Sequence, residues 1–209
     1  MYPVQKISRK PNSDTIGKVG SSETIRHAPL SDKEVIAYLD GAIHDATRNK
    51  NTRIRFAQKE LEWLKTIQLL LEQIGSKSWI YKEGKKRNMY VLETTNTTLD
   101  FHYNPRQKSR KEKIAYIKGF FDAEGGIPHS SSDRFYIQLC QKDKKKIEAL
   151  KEILEELNIS TGKIHNPSKR VDPEYWRVYV LASSHQKFMS IIGSYHPKKI
   201  KRIKMRMKI

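Results

Sequence analysis

The chain has 209 residues, with 41 Lys and Arg against 23 Asp and Glu, a formal net charge of +18 and a sequence pI near 9.9. That imbalance points to a polyanionic partner and excludes a surface of matched opposite charges, since acidic residues are far too few to balance the basic ones. The single cysteine, Cys140, excludes an intramolecular disulfide and a cysteine-built zinc site and fits a cytoplasmic location, and no apolar run reaches the length of a membrane span or a signal-peptide core.

Residues 1–30 are polar and basic, lack periodicity and are interrupted by Pro3, Pro11, Gly17, Gly20 and Pro29. They read as an N-terminal arm, disordered or ordered on a partner. A first repeat spans residues 31–95. Ser31 and Glu34 make a capping box ahead of a helix that carries Val35, Ile36, Leu39 and Ile43 on one stripe. A strand with period-two alternation follows over 53–59. Leu61, Leu64, Leu71 and Ile74 mark a second amphipathic helix ending near Gly75, and a hairpin joins 79–81 to 89–92.

Residues 96–108 are polar, contain Asn104-Pro105 and read as a linker. A second repeat over 109–197 follows the same order. Ser109 and Glu112 cap a helix carrying Ile114, Ile117, Phe120 and Phe121, and a strand over 135–142 comes next. Ile147, Leu150, Ile153, Leu154 and Leu157 mark a helix ending near Asn158, and a hairpin joins 163–165 to 176–180. A short helix near 186–192 and a basic tail over 198–209 complete the chain.

The two halves are an internal duplication. Ser31, Glu34, the run Ile36-Ala37-Tyr38 and Gly41 match Ser109, Glu112, Ile114-Ala115-Tyr116 and Gly119 at a fixed offset of 78. Gly41 and Gly119, each with an alanine four residues earlier, form small-residue faces through which two helices can approach closely. Each strand ends in Gln-Lys, Gln58-Lys59 and Gln141-Lys142, at an offset of 83, so the second half is five residues longer in between and the first hairpin is short.

The chemistry concentrates at the end of the second repeated helix. Glu124 precedes Gly125-Gly126 at a helix C-terminus, where the dipole disfavours a carboxylate. A hard divalent cation, taking one or two carboxylates plus water and phosphate oxygens, removes that conflict. On the strands, Arg53 and Arg55, with Arg134, Tyr136, Gln138, Arg177 and Tyr179 in the second half, can occupy the face turned from the helices and meet a nucleic-acid groove. The seven histidines show no metal-ligand spacing, and no nucleotide-binding glycine loop is present.

With these residues in place, the chain resembles the LAGLIDADG homing endonucleases of the single-chain, two-motif type, over roughly residues 31–195. The segment Ile117-Lys118-Gly119-Phe120-Phe121-Asp122-Ala123-Glu124-Gly125 carries the resemblance most closely. It implies an α+β fold of two pseudo-twofold-related αββαββ repeats packed through the motif helices, with antiparallel sheets forming a saddle for double-stranded DNA. It also implies a monomer that cleaves both strands with Mg²⁺ or Mn²⁺ and promotes the homing of an intron or similar element. Glu124 becomes a metal ligand, and Gln58, Lys59, Gln141 and Lys142 become candidates to order or polarise reacting waters.

The first motif departs from this pattern. In ungapped register Ala46 stands where Glu124 does, and Asp45 aligns with Ala123. These four positions are the candidate metal positions. Thr47 replaces the helix-ending glycine. A one-residue slip near the helix end would bring Asp45 into the ligand position, because one helical residue is about 100° of rotation. If Asp45 or His44 substitutes, both strands can be cut. If neither does, the protein nicks, cuts slowly or only binds, as a maturase on intron RNA or a DNA-binding regulator. The remaining alternative is a basic RNA-binding protein without sharp specificity.

Overall fold

The computed structural model describes residues 30–49, 53–84, 87–130 and 132–207. The N-terminal arm therefore lies outside the described residues, apart from Leu30. The first half runs α1 (Asp32–Ala42), β1 (Ala46–Asn49), β2 (Arg53–Gln58), α2 (Leu61–Gln73), β3 (Ser78–Lys82) and β4 (Tyr90–Thr94). The second runs α3 (Arg110–Glu124), β5 (Gly125–Gly126), β6 (Ile137–Gln141), α4 (Lys144–Glu156) and β7 (Trp176–Val180), then α5 (His185–Ile191) and α6 (Pro197–Met207). No helix among the described residues is long and apolar enough to cross a membrane.

The fold is α+β, with an antiparallel sheet in each half. The first sheet has the order β1-β2-β4-β3 and the second β5-β6-β7. The second half falls one strand short of the expected αββαββ pattern. The segment over 163–165 contributes only an isolated bridge, His165 to Arg177, next to a second bridge between Thr161 and Val180.

Both capping boxes form. Glu34 accepts from the backbone N–H of Ser31 at 2.9 Å, and Glu112 from that of Ser109 at 3.1 Å. The two capped helices pack directly on each other, and the glycines make that approach possible. A Cβ on Gly41 would overlap the Tyr116 carbonyl, and one on Gly119 would overlap the Tyr38 carbonyl. Backbone meets backbone at both points, so neither site has a flexible neighbour that can give way.

The tyrosines of the repeat bind across this junction. Tyr38 donates to Asp122 at 2.8 Å and accepts from the Trp63 indole at 3.0 Å. Tyr116 shares a 2.9 Å hydrogen bond with His44. Tyr38 and Tyr116 are 78 residues apart, as are His44 and Asp122, so these are the two copies of one cross-helix contact. Around them Val35, Leu39, Ile43, Phe56, Trp63, Phe120, Phe121 and Ile153 are fully buried in one continuous core.

Segments without regular structure hold the helices from outside. The 96–108 stretch forms a 3₁₀ turn at Pro105–Gln107 and donates the Asp100 N–H to the buried Asp40 carboxylate at 2.8 Å. The basic tail is a helix, α6, packed on the protein through Ile203. Its spacing of Ile200, Ile203 and Met207 is helical, but the density of lysine and arginine obscured that pattern in the sequence.

Candidate metal and nucleic-acid site

The two motif helices end differently. α3 continues to Glu124 and passes straight into β5. α1 stops at Ala42 and tightens into a 3₁₀ turn over Ile43–Asp45 before β1 begins. A 3₁₀ turn has 3.0 residues per turn instead of 3.6 and a longer rise, so it reaches the strand one residue sooner.

Strand pairing fixes the result. Ala46 pairs with Phe56, two residues before Gln58, and Gly125 pairs with Leu139, two residues before Gln141. Asp45 and Glu124 each stand immediately before those residues. They are structural equivalents at an offset of 79, in place of the 78 that governs the helix starts. The ungapped alignment is thereby corrected. Ala46 matches Gly125, His44 still matches Asp122, and Ala123 is the extra residue without a counterpart in the first half. Of the five extra residues in the second half, one is absorbed at the helix end and four enlarge the β5–β6 loop.

This register removes Ala46 from the metal position the ungapped reading gave it. Ala123 lies in the last turn of α3 and offers only its backbone carbonyl as a donor. His44 is turned into the helix junction, against Tyr116 and 5.0 Å from the Phe120 ring. Burial lowers its pKa to about 4, so it is neutral and is not a substitute acid.

Asp45 and Glu124 share one electrostatic environment. Burial raises Asp45 to about 6, while Lys199 and the Gln58 hydrogen bond oppose the rise. Burial also raises Glu124 to about 7, with the Asp45 charge adding to the shift and Lys199 opposing it. Two carboxylates that resist ionising together are the donor set a cation completes. Among the described residues no group of three or more His, Cys, Asp or Glu side chains is placed so as to hold a metal ion. A pair of carboxylates suits a hard ion such as Mg²⁺ or Mn²⁺, whose remaining positions are filled by water and phosphate.

The Gln-Lys pairs are unequal. Gln58 donates its side-chain amide to the Asp45 carboxylate. Gln141 instead accepts from the backbone N–H of Lys142 at 2.7 Å, within its own corner. Lys59 and Lys142 are exposed and bond to neither acid. The cation whose charge acts on both acids is Lys199, from α6, although it bonds to neither. Its ammonium donates to the carbonyls of Phe121 and of Asp122, the latter at 2.9 Å, and lies 4.8 Å from the centre of the Phe121 ring. Sequence reading missed it because nothing distinguishes one lysine in a run of basic residues. The only signal was the apolar spacing of the tail.

The candidate nucleic-acid face follows the pleat. Ile54 and Phe56 are buried, Arg53 is exposed and Arg55 partly so. Both arginines are engaged with acids, Arg53 with Glu93 of the neighbouring β4 at 3.1 Å and Arg55 with Glu83 just past the end of β3. Arg53 also lies 5.2 Å from the Trp79 ring, and Tyr81 donates to Glu93 at 3.0 Å. In the second sheet Arg177 donates to Tyr179 at 2.6 Å, and Tyr136 meets Tyr179 edge to face at 5.8 Å. Gln138 lies on this face beside Gly126, and Arg134 is exposed just ahead of β6.

Two related halves, glycine-bearing helices in backbone contact and one acid from each half at a common site define a LAGLIDADG-type protein. The LAGLIDADG-like domain family model matches residues 40–100 and 111–193, more than half of the chain, and the chain belongs to that family. It is similar to the homing endonuclease I-DmoI crystallised with DNA and Mn, at a TM-score of 0.60 and 23% identity, over 79% of this chain and 99% of that one. It is also similar to the N-terminal LAGLIDADG domain of WhiA, at a TM-score of 0.62 and 16% identity, over 83% of this chain and 88% of that one. An uncharacterized protein of Methanocaldococcus jannaschii is 24% identical over 178 residues, covering 75% of this chain and 67% of that protein.

Proposed function

We propose that this chain is a site-specific endonuclease that holds double-stranded DNA across its two sheets and hydrolyses one phosphodiester on each strand at the Asp45–Glu124 pair. The observation that carries this reading is the strand register, which restores an acid to the first motif. Membership of the LAGLIDADG-like family and likeness to I-DmoI, crystallised with DNA and Mn, support it.

In this reading Asp45 and Glu124 hold Mg²⁺ or Mn²⁺. Such an ion polarises a phosphoryl oxygen and makes bound water a nucleophile near neutral pH. Gln58 orients the Asp45 carboxylate toward it. Arg53, Arg55, Arg134 and Arg177 supply phosphate or base contacts once nucleic acid displaces their internal partners, and Tyr136, Gln138 and Tyr179 line the same surface. Net charge of +18 brings the polyanion to the saddle. The biological role is the homing of an intron or similar element, carried out by a monomer.

The test is cleavage of DNA spanning the junction that flanks the chain's own reading frame, with each strand labelled separately and Mg²⁺ or Mn²⁺ supplied. Cuts on both strands, lost in Asp45→Asn and in Glu124→Gln, establish the reading. Tight binding without a cut under either metal overturns it.

One observation favours a second reading. Gln58 reaches its acid and Gln141 does not, so the two half-sites are chemically unequal. A nicking protein, or a non-cleaving maturase or regulator of the same fold, accommodates that inequality, and a single-strand cut in the same assay identifies the first of these.

A further inference from the structure

The C-terminal helix is built into the site. Asp122, buried in the last turn of α3, accepts from the Tyr195 N–H at 2.8 Å and from the Ser194 hydroxyl, which fixes the chain just ahead of α6. Lys198 pairs with Glu60 of the first half at 3.3 Å, and Arg206 donates to the Ser130 carbonyl of the second half at 2.8 Å. α6 is therefore tied to both halves, and Lys199 projects from it under the end of α3. Lys199 bonds to the Phe121 and Asp122 carbonyls and to neither acid.

A lysine capping a helix C-terminus is an ordinary stabilising device. Here the helix end that it caps also carries Glu124, two residues beyond the capped Asp122 carbonyl, with Asp45 facing it. The charged and titratable groups around the ammonium are Asp45 from the 3₁₀ turn, Asp122 and Glu124 from α3 and Cys140 from β6. Burial lowers the ammonium pKa to about 8 against the pull of those groups, so it remains largely charged at neutral pH. A fixed positive charge this close lowers the free energy of two neighbouring carboxylates in the absence of metal. It opposes any second cation that approaches the same pair.

We propose that Lys199 is the resident counter-cation of this site: its ammonium holds the two carboxylates together in the metal-free protein and competes with the divalent ion for them. This rests on the reading of Asp45 and Glu124 as a metal pair. Lys199 is a positioning residue, since it acts through the two acids.

The test is Mn²⁺ titration of the full chain, with free Mn²⁺ read by electron paramagnetic resonance, in wild type, Lys199→Gln and Lys199→Arg. Glutamine keeps a donor for the two carbonyls and removes the charge, and arginine keeps both. The inference predicts roughly tenfold tighter Mn²⁺ binding in Lys199→Gln and wild-type affinity in Lys199→Arg. Equal or weaker affinity in a folded Lys199→Gln overturns it and leaves the metal pair standing, because capping alone does not move metal affinity upward. Mn²⁺ binding in neither protein, or binding undiminished by Asp45→Asn with Glu124→Gln, overturns the metal pair and this inference with it. A second measurement needs no variant. Mn²⁺ should increase acylation of the Lys199 amine in wild type, read by mass spectrometry against the exposed lysines of α6, and unchanged labelling counts against the inference.

Discussion

Asp45 and Glu124 each stand one residue before a strand whose first member pairs two positions short of a glutamine, although their helices begin 78 residues apart and the acids lie 79 apart. The missing residue is taken up by the 3₁₀ turn over Ile43–Asp45. In the strand register Asp45 therefore takes the place that Glu124 holds in the second half, although an ungapped alignment puts Ala46 there.

The acid pair makes metal-free stability depend on pH. Both carboxyls have folded pKa values above their ordinary ones, about 6 for Asp45 and about 7 for Glu124. The folded state binds protons more tightly, so its advantage is full below the unfolded values and is lost as pH rises through the folded ones. The melting temperature of the metal-free protein should fall between about pH 4 and pH 7 and level off above, by roughly 1 kcal/mol of stability after allowance for solvent screening. Glu124→Gln should flatten that dependence, and Mn²⁺ should restore stability at the alkaline end. Scanning calorimetry across this range, with and without the ion, checks all three.

Asp40 gives a second pH dependence, away from the site. Its carboxyl is 1% exposed, accepts one bond from the Asp100 N–H and is raised by burial to about 7. The sign is the same, with stability lost as pH climbs from the unfolded value toward 7 and beyond. Asp40→Asn keeps an acceptor for Asp100 and removes the charge, so it should stabilise the protein by about 2 kcal/mol at pH 8 and by nothing near pH 4. Urea unfolding at the two pH values distinguishes this from a general effect of the substitution.

Gly119→Ala should cost about 3 kcal/mol, because the new methyl meets the Tyr38 carbonyl of the facing helix and backbone cannot step aside. Gly75→Ala, where a positive φ of 70° is the only constraint and nothing lies near the new Cβ, should cost about 1 kcal/mol. Comparing the two by denaturant unfolding separates helix contact from backbone strain.

The unequal glutamines should produce unequal strands. Gln58 bonds Asp45, whereas Gln141 bonds the backbone of Lys142. Gln58→Ala should slow the cleavage served by Asp45 roughly tenfold, the equivalent of one lost hydrogen bond to a charged group. Gln141→Ala should change the opposite strand by less. Strand-resolved rates on one labelled substrate measure both.

Most of the fold was legible because the signals were local and repeated. The capping boxes at Ser31 and Ser109, the glycines at 41 and 119 and the period-two strands all speak within a few residues of themselves. The two candidate acids were unequally legible, Glu124 directly and Asp45 only by allowing a one-residue slip at the helix end. Glu124 follows a regular helix, so counting residues finds it. Asp45 follows a helix that changes pitch, and pitch is set by how Ile43 and His44 pack against α3, which residue counting does not register. Lys199 was invisible for a different reason. Its position depends on where α6 docks, and that is decided by Asp122 receiving Ser194 and Tyr195, a contact more than seventy residues distant in sequence. The strand over 163–165 failed because its pairing is confined to single bridges.

The most direct measurement is anomalous diffraction at the manganese edge from crystals of the full chain soaked in Mn²⁺. The account predicts an ion bound by both the Asp45 and the Glu124 carboxylates. An ion held by Glu124 alone, with Asp45 still engaged only by Gln58, would contradict it.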